Sequence, residues 1–362
     1  MYRKTYLKID NHVLKNNVEK IINKYDCYKY YIGVVKANAY GHGDYIVNDL
    51  INGGINYLAV SSLEEAISIR KYNEEIPILV LEPISLEHLE IIQKYNITIT
   101  VESLNYAEEL SSLKIKSKLN IHLKLDTGMN RLGFKEQTNL NEAINILRNN
   151  KSIFIEGIYT HIGTSGINDI YYDKSIDKFE YLTSHINLKE IPIIHINRSI
   201  TLTNHKMKPY ETGVRLGIIM YGINQNQDTP LDIHTALTLY SEVISIRKVN
   251  QGEYIGYNAK YIAKEDMLVA TIPIGYNDGM SQDMKYVSIN NKLYEFVGDI
   301  CMDMIMIKAD DNIKIHDKVE IFGKNISIID TANRINSHPY RLLTSISTRV
   351  PRVYNDNKEI KY

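Results

Sequence analysis

One lysine is the first residue in this sequence whose type and position suggest chemistry. Lys36 directly follows the apolar, β-branched run Tyr31–Val35, which is typical of a buried strand. Burial disfavours a charged ammonium, so the pKa of such a lysine falls and its neutral amine can condense with a carbonyl group. A lysine at the end of a strand is otherwise usually a surface residue whose ammonium reaches water. The surrounding elements have to distinguish the two interpretations.

Short apolar runs alternate with amphipathic, helix-like stretches over the first two thirds of the chain. This alternation indicates parallel βαβ units. About eight repeats favour a closed (β/α)8 barrel of the TIM type, whose active sites lie at the carboxyl ends of the strands, where Lys36 falls. The strand-like runs are Tyr31–Val35, Tyr57–Val60, Ile78–Leu81, Thr98–Val101, Leu119–Leu125, Phe154–Tyr159, Ile193–Ile196 and, weakly, Gly213–Leu216.

The sequence pattern changes near Leu231. Beyond it, helical periodicity fades and strand-like runs such as Leu237–Val249 and Met267–Ile274 follow one another, separated by turns. We therefore predict a barrel domain over residues 1–231 and a mostly β domain over residues 232–362. The linker is expected near Asn224–Pro230.

Composition and charge exclude several classes of protein. The formal net charge of -1 gives no support for a nucleic-acid partner. Cys27 and Cys301 are far apart and form neither a disulfide framework nor a metal-ligand pattern. The N-terminus has no apolar signal segment, and no apolar run approaches the ~20 residues that a membrane helix needs. We expect a cytoplasmic protein without a metal or a membrane partner.

The residues around Lys36 form the string Val34-Val35-Lys36-Ala37-Asn38-Ala39-Tyr40-Gly41-His42-Gly43. This string resembles the signature with which the alanine racemase family holds pyridoxal 5′-phosphate (PLP) as a Schiff base. The resemblance extends over nearly the whole chain in matching order. It implies PLP as the cofactor, a barrel followed by a β domain, and an amino-acid racemase.

The resemblance also assigns roles to other barrel residues. Arg131, which follows the strand-like run Leu119–Leu125, matches the arginine that binds the substrate carboxylate, and a guanidinium fork suits that group. Lys124 matches a lysine that is often carbamylated in the family, although an unmodified barrel lysine remains the alternative. Arg215 would face the pyridine nitrogen of PLP, and His161 would hydrogen-bond that arginine. The other cofactor-binding positions are Tyr40, Ser199, Gly217 and Ile218.

The β domain carries the remaining matches. Tyr257 takes the place of a catalytic tyrosine, and Tyr276 that of a gate in the substrate channel. Met302 matches a residue whose backbone N–H contacts the substrate carboxylate. In the family these residues and Asp303 come from the partner subunit. The resemblance therefore implies a homodimer whose active sites are shared between subunits.

Four positions depart from the family pattern. Arg198 stands where asparagine is usual, and Thr348 where many members place a phosphate-binding tyrosine. Either Arg198 offsets the lost hydroxyl with a charge-assisted hydrogen bond, or it points to solvent while Ser199 and backbone amides suffice. Asn258 and Lys260 replace smaller residues after the catalytic tyrosine, which leaves the side chain of the substrate open.

The activity that the resemblance implies is the interconversion of L-alanine and D-alanine, which supplies D-alanine for peptidoglycan. Lys36 would serve one face of the α-carbon, and the partner subunit's Tyr257 the opposite face. A racemase of the same family that prefers serine or another small amino acid is the nearest alternative. More distant alternatives are a PLP-dependent decarboxylase, an aldolase without PLP and a non-catalytic PLP-binding protein.

Overall fold

The computed structural model describes residues 3–165, 167, 169–226, 228–355 and 359–360. Contacts between residues divide the chain into two compact units. The first, called the barrel unit below, comprises Leu14–Ala39 and Asp44–His234. The second, the β unit, comprises Met1–Val13, Tyr40–Gly43 and Thr235–Tyr362.

The barrel unit closes eight parallel strands into a cylinder within the described residues, which confirms the predicted (β/α)8 barrel. Several of these strands are buried at every position, as expected where both faces of a parallel sheet are covered. Strand Tyr6–Ile9 (β1) and helix Asn11–Lys24 (α1) come first in the chain. The barrel strands are Tyr30–Val34 (β2), Tyr57–Val60 (β3), Ile78–Val80 (β4), Ile97–Val101 (β5), Leu119–Leu125 (β6), Ile153–Thr160 (β7), Ile193–Arg198 (β8) and Gly213–Leu216 (β9).

Helical segments connect these strands. They are Lys36–Tyr40 (α2), Val47–Asn52 (α3), Leu63–Arg70 (α4), Leu89–Lys94 (α5), Leu104–Ser112 (α6), Gln137–Asn149 (α7), Tyr171–Thr183 (α8) and Ser199–Asn204 (α9). In α7, Leu140, Ala143, Ile144 and Leu147 are buried, which is the spacing of one helix face. None of the described helices is long and apolar enough to cross a membrane.

The β unit confirms the predicted mostly β domain. Its strands are Leu237–Glu242 (β10), Ser245–Val249 (β11), Tyr254–Ile255 (β12), Tyr261–Ile262 (β13), Met267–Ile272 (β14), Tyr286–Ile289 (β15), Lys292–Glu295 (β16), Ile305–Ala309 (β17), Lys318–Phe322 (β18), Arg352–Tyr354 (β19) and Glu359–Ile360 (β20). Its helices are Ile328–Arg334 (α10) and Pro339–Ser345 (α11). Among the described residues the strands form a seven-stranded sheet, a three-stranded sheet and a hairpin of β12 with β13.

The N-terminal strand belongs to the β unit. Strand β1 pairs antiparallel with β10 and parallel with β19, inside the seven-stranded sheet. Contacts therefore group Met1–Val13 with the β unit, whereas the predicted division kept these residues in the barrel domain. The partners of β1 lie at the other end of the sequence, so a local pattern could not indicate them.

Candidate active site

Lys36 follows β2 at the carboxyl end of the barrel, and the backbone after it turns in a left-handed sense. Residues 37–40 all have φ angles between 50° and 55°. Such angles cost an L-residue roughly 1–2 kcal/mol each, so surrounding groups must hold the turn. Glu65 does so by accepting the N–H of Ala37 at 2.7 Å and that of Ser61 at 2.8 Å. No pattern in the sequence indicated this role of Glu65.

The end of the same turn is held inside the β unit. Gly41 has φ of 81°, and a Cβ atom added there would lie 2.2 Å from the carbonyl oxygen of Leu343. Arg352 donates a 3.2 Å hydrogen bond to the carbonyl of Gly41. Tyr40 is buried, and its ring centroid lies 5.8 Å from that of Tyr340. Only glycine fits at position 41.

Arg215 on β9 is buried and fully engaged by its neighbours. One terminal nitrogen donates to Nδ1 of His195 at 2.8 Å and to the carbonyl of His195 at 2.6 Å. The other donates to the carbonyls of Thr160 at 2.7 Å and Ile196 at 3.0 Å. Burial lowers the pKa of Arg215 to about 10, which still leaves the guanidinium charged at neutral pH. A fixed cation therefore lies at the end of β9.

A column of hydrogen bonds runs from Arg215 into the barrel. Nε2 of His195 lies 2.9 Å from Nδ1 of His122, and Nε2 of His122 lies 3.3 Å from Oε2 of Glu156. The hydroxyl of Tyr57 donates to the same carboxylate oxygen at 2.7 Å. Burial lowers the pKa of both histidines, and the charge of Arg215 lowers them further. The imidazoles are therefore neutral. No sequence pattern indicated a role for His122 or Glu156, and His195 was expected only as part of the strand-like run Ile193–Ile196.

Lys124 and Arg131 lie at the end of β6 and in the loop after it. Lys124 is buried, and its Nζ donates a 2.7 Å hydrogen bond to the carbonyl of Leu125. Burial, together with the charges of Arg215 and Arg131, lowers the pKa of Lys124 to about 7. Arg131 is exposed. Its loop is closed by Asp126, whose Oδ1 accepts two backbone N–H groups at 3.0 Å.

His161 follows β7, but its bonding differs from what the resemblance implies. Arg215 was expected to bond His161, whereas the structure places that hydrogen bond on His195. Within the described residues no hydrogen bond joins His161 to Arg215. Burial and the charges of Arg215, Arg198 and Arg131 lower the pKa of His161 to about 2. The imidazole is neutral, and its contact with a cofactor stays a prediction.

Two of the residues predicted to bind phosphate meet at the ends of β8 and β9. The hydroxyl of Ser199 accepts the backbone N–H of Gly217 at 2.8 Å. Ile218 is buried and begins a short 3-10 helix. Thr348 is exposed and belongs to the β unit. A hydroxyl beside main-chain N–H groups is a donor set that suits a phosphate.

Arg198 hydrogen-bonds the loop that follows β7. Its Nε donates to the carbonyl of Ile162 and a terminal nitrogen to that of Thr164, both at 3.0 Å. The side chain is half-buried, and these two bonds hold its guanidinium against the loop. A role for Arg198 at the phosphate stays a prediction. Arg198 ties the end of β8 to the loop after β7.

The candidate barrel residues come from neighbouring strands. The order β6, β7, β8, β9 and β2 is continuous around the barrel. These strands carry or lead into Lys124 and Arg131, His161, Ser199, Arg215 and Gly217, and Lys36, respectively. An amine, a fixed guanidinium, and a hydroxyl with main-chain N–H groups match the carbonyl, ring nitrogen and phosphate of PLP. The residues present therefore fit this cofactor.

The three candidate residues of the β unit are exposed, and two of them lie on joined turns. Tyr257, Tyr276 and Met302 are 67%, 44% and 52% exposed. The N–H of Tyr276 donates to the carbonyl of Cys301 at 3.0 Å, and that of Asn277 to the carbonyl of Met302 at 3.1 Å. The structure thus brings the Tyr276 and Met302 turns together.

Comparisons with known proteins agree along the chain. The family model described as Alanine racemase, N-terminal domain, matches residues 9–225, and that described as Alanine racemase, C-terminal domain, matches residues 236–354. Alanine racemase 1 of Bacillus subtilis (strain 168) is 33% identical over 371 residues, covering 99% of this chain and 95% of that protein.

Solved structures show the same likeness. The alanine racemase from Bacillus anthracis with bound L-Ala-P has a TM-score of 0.92 and 29% identity, covering 99% of this chain and 97% of that chain. The histidine racemase from Leuconostoc mesenteroides subsp. sake NBRC 102480 has a TM-score of 0.88 and 25% identity, covering 98% of each chain. Structural likeness at this level thus includes proteins named for different amino acids.

Proposed function

Because the chain belongs to the alanine racemase family, and is an amino-acid racemase, we propose that it interconverts L-alanine and D-alanine with PLP as its cofactor. The observation that carries this proposal is that Lys36, which follows β2, and Arg215, on β9, belong to adjacent paired strands of the barrel. An amine at a strand end can bind a carbonyl group. A cation that stays charged cannot protonate a ring nitrogen readily, which favours racemisation over side reactions such as transamination.

The residues proposed to hold the cofactor are those at the mouth of the barrel. Lys36 binds its carbonyl carbon, and Arg215 faces its ring nitrogen. Ser199 and the main-chain N–H groups of Gly217 and Ile218 bind the phosphate. Tyr40 and His161 complete the set. When bound, PLP increases the acidity of the α C–H of the amino acid.

Two bases on opposite faces of the α-carbon are needed to invert it. We propose that Nζ of Lys36 removes the α-proton of D-alanine. The hydroxyl group of the partner subunit's Tyr257 removes the α-proton of L-alanine. A tyrosine hydroxyl has a reference pKa of ~10, so it needs cations near it to act as a base at neutral pH. A barrel mouth that carries Arg131 and Arg215 supplies them.

A homodimer accounts for the exposed apolar side chains of the β unit. Side chains of this kind that lie on neighbouring turns are typical of a surface covered by another protein. We propose that the partner's barrel covers them. The set comprises Tyr254, Tyr257, Ile262, Tyr276, Met302 and Met304.

The substrate carboxylate is assigned to Arg131 and to the backbone N–H of Met302, with Tyr276 as the gate of the channel. Lys124 is proposed to be carbamylated. Its lowered pKa supports this, because only a neutral amine adds carbon dioxide, and the resulting anion would neutralise part of the charge of Arg131. Incubation with ¹³C-bicarbonate should give a carbamate signal that is absent from Lys124→Met.

The proposed role in the cell is the supply of D-alanine for peptidoglycan, in the cytoplasm. Support for that compartment comes from Cys27 and Cys301, which are free cysteines. A preference for serine or another small amino acid is the remaining alternative of the same class. The residues that favour this alternative are Asn258 and Lys260, which are both exposed and lie close to Tyr257 in the sequence.

The experiment begins with purified protein, PLP and single L-amino acids. D-alanine should form from L-alanine faster than D-serine from L-serine or D-histidine from L-histidine. Formation of no D-enantiomer would exclude the proposed activity. Faster formation of D-serine than of D-alanine would identify serine as the preferred substrate. A non-catalytic PLP-binding protein would retain cofactor absorbance without any turnover.

A mixing experiment tests the shared site. Lys36→Ala and Tyr257→Phe homodimers should each be inactive. Mixed dimers would contain one site with both wild-type bases, so co-expression should restore a substantial fraction of wild-type kcat. If both bases belonged to one chain, every mixed site would lack one of them and no activity would return.

A further inference from the structure

The turn that carries Tyr257 has a disfavoured backbone. Gly256, Asn258 and Ala259 have φ angles of 77°, 59° and 50°. Glycine and asparagine adopt such angles readily, but alanine does so only where its surroundings hold it. The side chain of Tyr257 is largely exposed and supplies little of that hold. Another group must fix the turn.

The base of this turn is fixed by an apolar cluster. Ile255, which precedes the turn, and Val297, which precedes a second turn at residues 298–303, are both buried in it. The two turns start side by side, since a Cβ atom added at Gly298 would lie 2.8 Å from the carbonyl oxygen of Ile255. The second turn leads to Met302. The cluster therefore holds the starts of both turns but not their tips.

An ion pair joins the two turns beyond that cluster. Nζ of Lys260 lies 2.6 Å from Oδ2 of Asp299. Lys260 directly follows the strained residue Ala259, and Asp299 directly follows Gly298. We infer that Lys260 is a positioning residue that holds Tyr257 in its reactive orientation through Asp299. This inference rests on the proposed function, in which Tyr257 is one of the two bases.

The exposure of the pair decides which measurement is informative. The side chains of Lys260 and Asp299 are 61% and 39% exposed, and ion pairs of this kind contribute little to overall stability. Their loss should therefore change the orientation of Tyr257 without unfolding the protein. Lys248 and Asp266 form a matched control in the same unit, with a 2.7 Å separation and exposures of 63% and 54%.

The test uses the PLP-loaded enzyme and five forms of it: wild type, Lys260→Ala, Lys260→Arg, the exchanged pair Lys260→Asp/Asp299→Lys, and Lys248→Ala. Lys260→Ala should lower kcat for L-alanine about tenfold, because a misplacement of ~1 Å can cost ~100-fold. KM should change less than kcat. Lys260→Arg and the exchanged pair should recover most of the loss, and Lys248→Ala should match the wild type.

Isotope effects separate positioning of Tyr257 from a general disturbance. In Lys260→Ala, the α-deuterium isotope effect should rise for L-alanine, whose proton Tyr257 removes, and should not rise for D-alanine, whose proton Lys36 removes. Equal changes in both directions, or Lys260→Ala kinetics that match those of Lys248→Ala, would overturn the inference while the racemase activity of the wild type stands. A wild type that forms no D-alanine would overturn both proposals together.

Discussion

Arg215 and His195 lie on adjacent strands of the barrel, and the guanidinium of Arg215 donates a 2.8 Å hydrogen bond to Nδ1 of His195. An arginine can only donate, so Nδ1 accepts and the proton of a neutral His195 lies on Nε2. That proton then points to His122, which in turn directs its own to Glu156. One arginine thus sets the tautomers of two buried histidines.

The first prediction concerns His195→Ala. The variant removes a neutral acceptor from the charged donor Arg215, a contact that contributes ~1.5–3 kcal/mol. Steady-state kcat for L-alanine should fall about tenfold to a hundredfold if that contact orients Arg215 during turnover. The affinity for PLP, measured by fluorescence titration, should change by less than about threefold.

His122→Ala is the control, because it lies one hydrogen bond further from Arg215. Its loss of kcat should be smaller than that of His195→Ala. Thermal unfolding should show that both variants are folded. A His195→Ala enzyme with at least half of the wild-type kcat would contradict the proposed role of the bond.

The second prediction concerns the pH dependence of stability. Lys124 has a pKa of about 7 in the folded protein, mainly because it is buried, whereas an unfolded lysine titrates near ~10.4. Between these values the unfolded chain binds more protons, so this lysine makes the free energy of unfolding rise as the pH increases from ~7 to ~10. Below pH ~7 both states hold the proton and the contribution is flat.

Lys124→Met should lack that part of the slope. Urea unfolding from pH 6 to 9.5, in buffer free of carbon dioxide and without PLP, measures it. The wild type should gain stability relative to the variant as the pH rises. Parallel curves for the two proteins would show that the pKa of Lys124 is not lowered.

The third prediction concerns a buried carboxylate next to Tyr276. Asp278 is fully buried and accepts hydrogen bonds of 2.7 and 2.6 Å from Arg3, and Nε of Arg349 lies 3.1 Å away. Asp278→Asn removes the anion from between two arginines. The free energy of unfolding should fall by about 2–4 kcal/mol. This loss is slightly smaller than is usual for a broken buried ion pair, because both arginines are partly exposed to solvent.

Asp310→Asn provides the comparison in urea unfolding. Asp310 pairs with Lys292 at 2.6 Å, but the lysine side chain is 62% exposed. Asp310→Asn should therefore lower the free energy of unfolding by less than ~1 kcal/mol. Similar losses for the two variants would mean that burial of Asp278 adds nothing to its ion pairs.

The fold was predictable where contacts are sequential. Parallel strands buried on both faces appear as continuous apolar runs, and the run Leu119–Leu125 coincides with β6. Strand β1 was not predicted, because its partners β10 and β19 are distant in sequence. Pairing of this kind depends on the whole sheet and has no local pattern.

The site was predictable in its residues more than in their bonds. The string around Lys36 indicated the cofactor lysine, but two of its alanines adopt left-handed angles that alanine itself disfavours. The acceptor of Arg215 was assigned to His161, and the structure shows His195. The hydrogen bond from Arg215 to His195 forms because β8 and β9 lie side by side. It can therefore be recognised only from the three-dimensional structure of the barrel.

The last prediction concerns Arg198, where the sequence left two alternatives and the structure favours a third. Its guanidinium bonds the carbonyls of Ile162 and Thr164, so Arg198→Asn should loosen the loop after β7 and cost about 1–2 kcal/mol in urea unfolding. The Kd for PLP should rise by less than about threefold, whereas Ser199→Ala, which alters the predicted phosphate donors, should raise it more. A loss of PLP affinity in Arg198→Asn that equals the loss in Ser199→Ala, with stability unchanged, would instead assign the arginine to the phosphate.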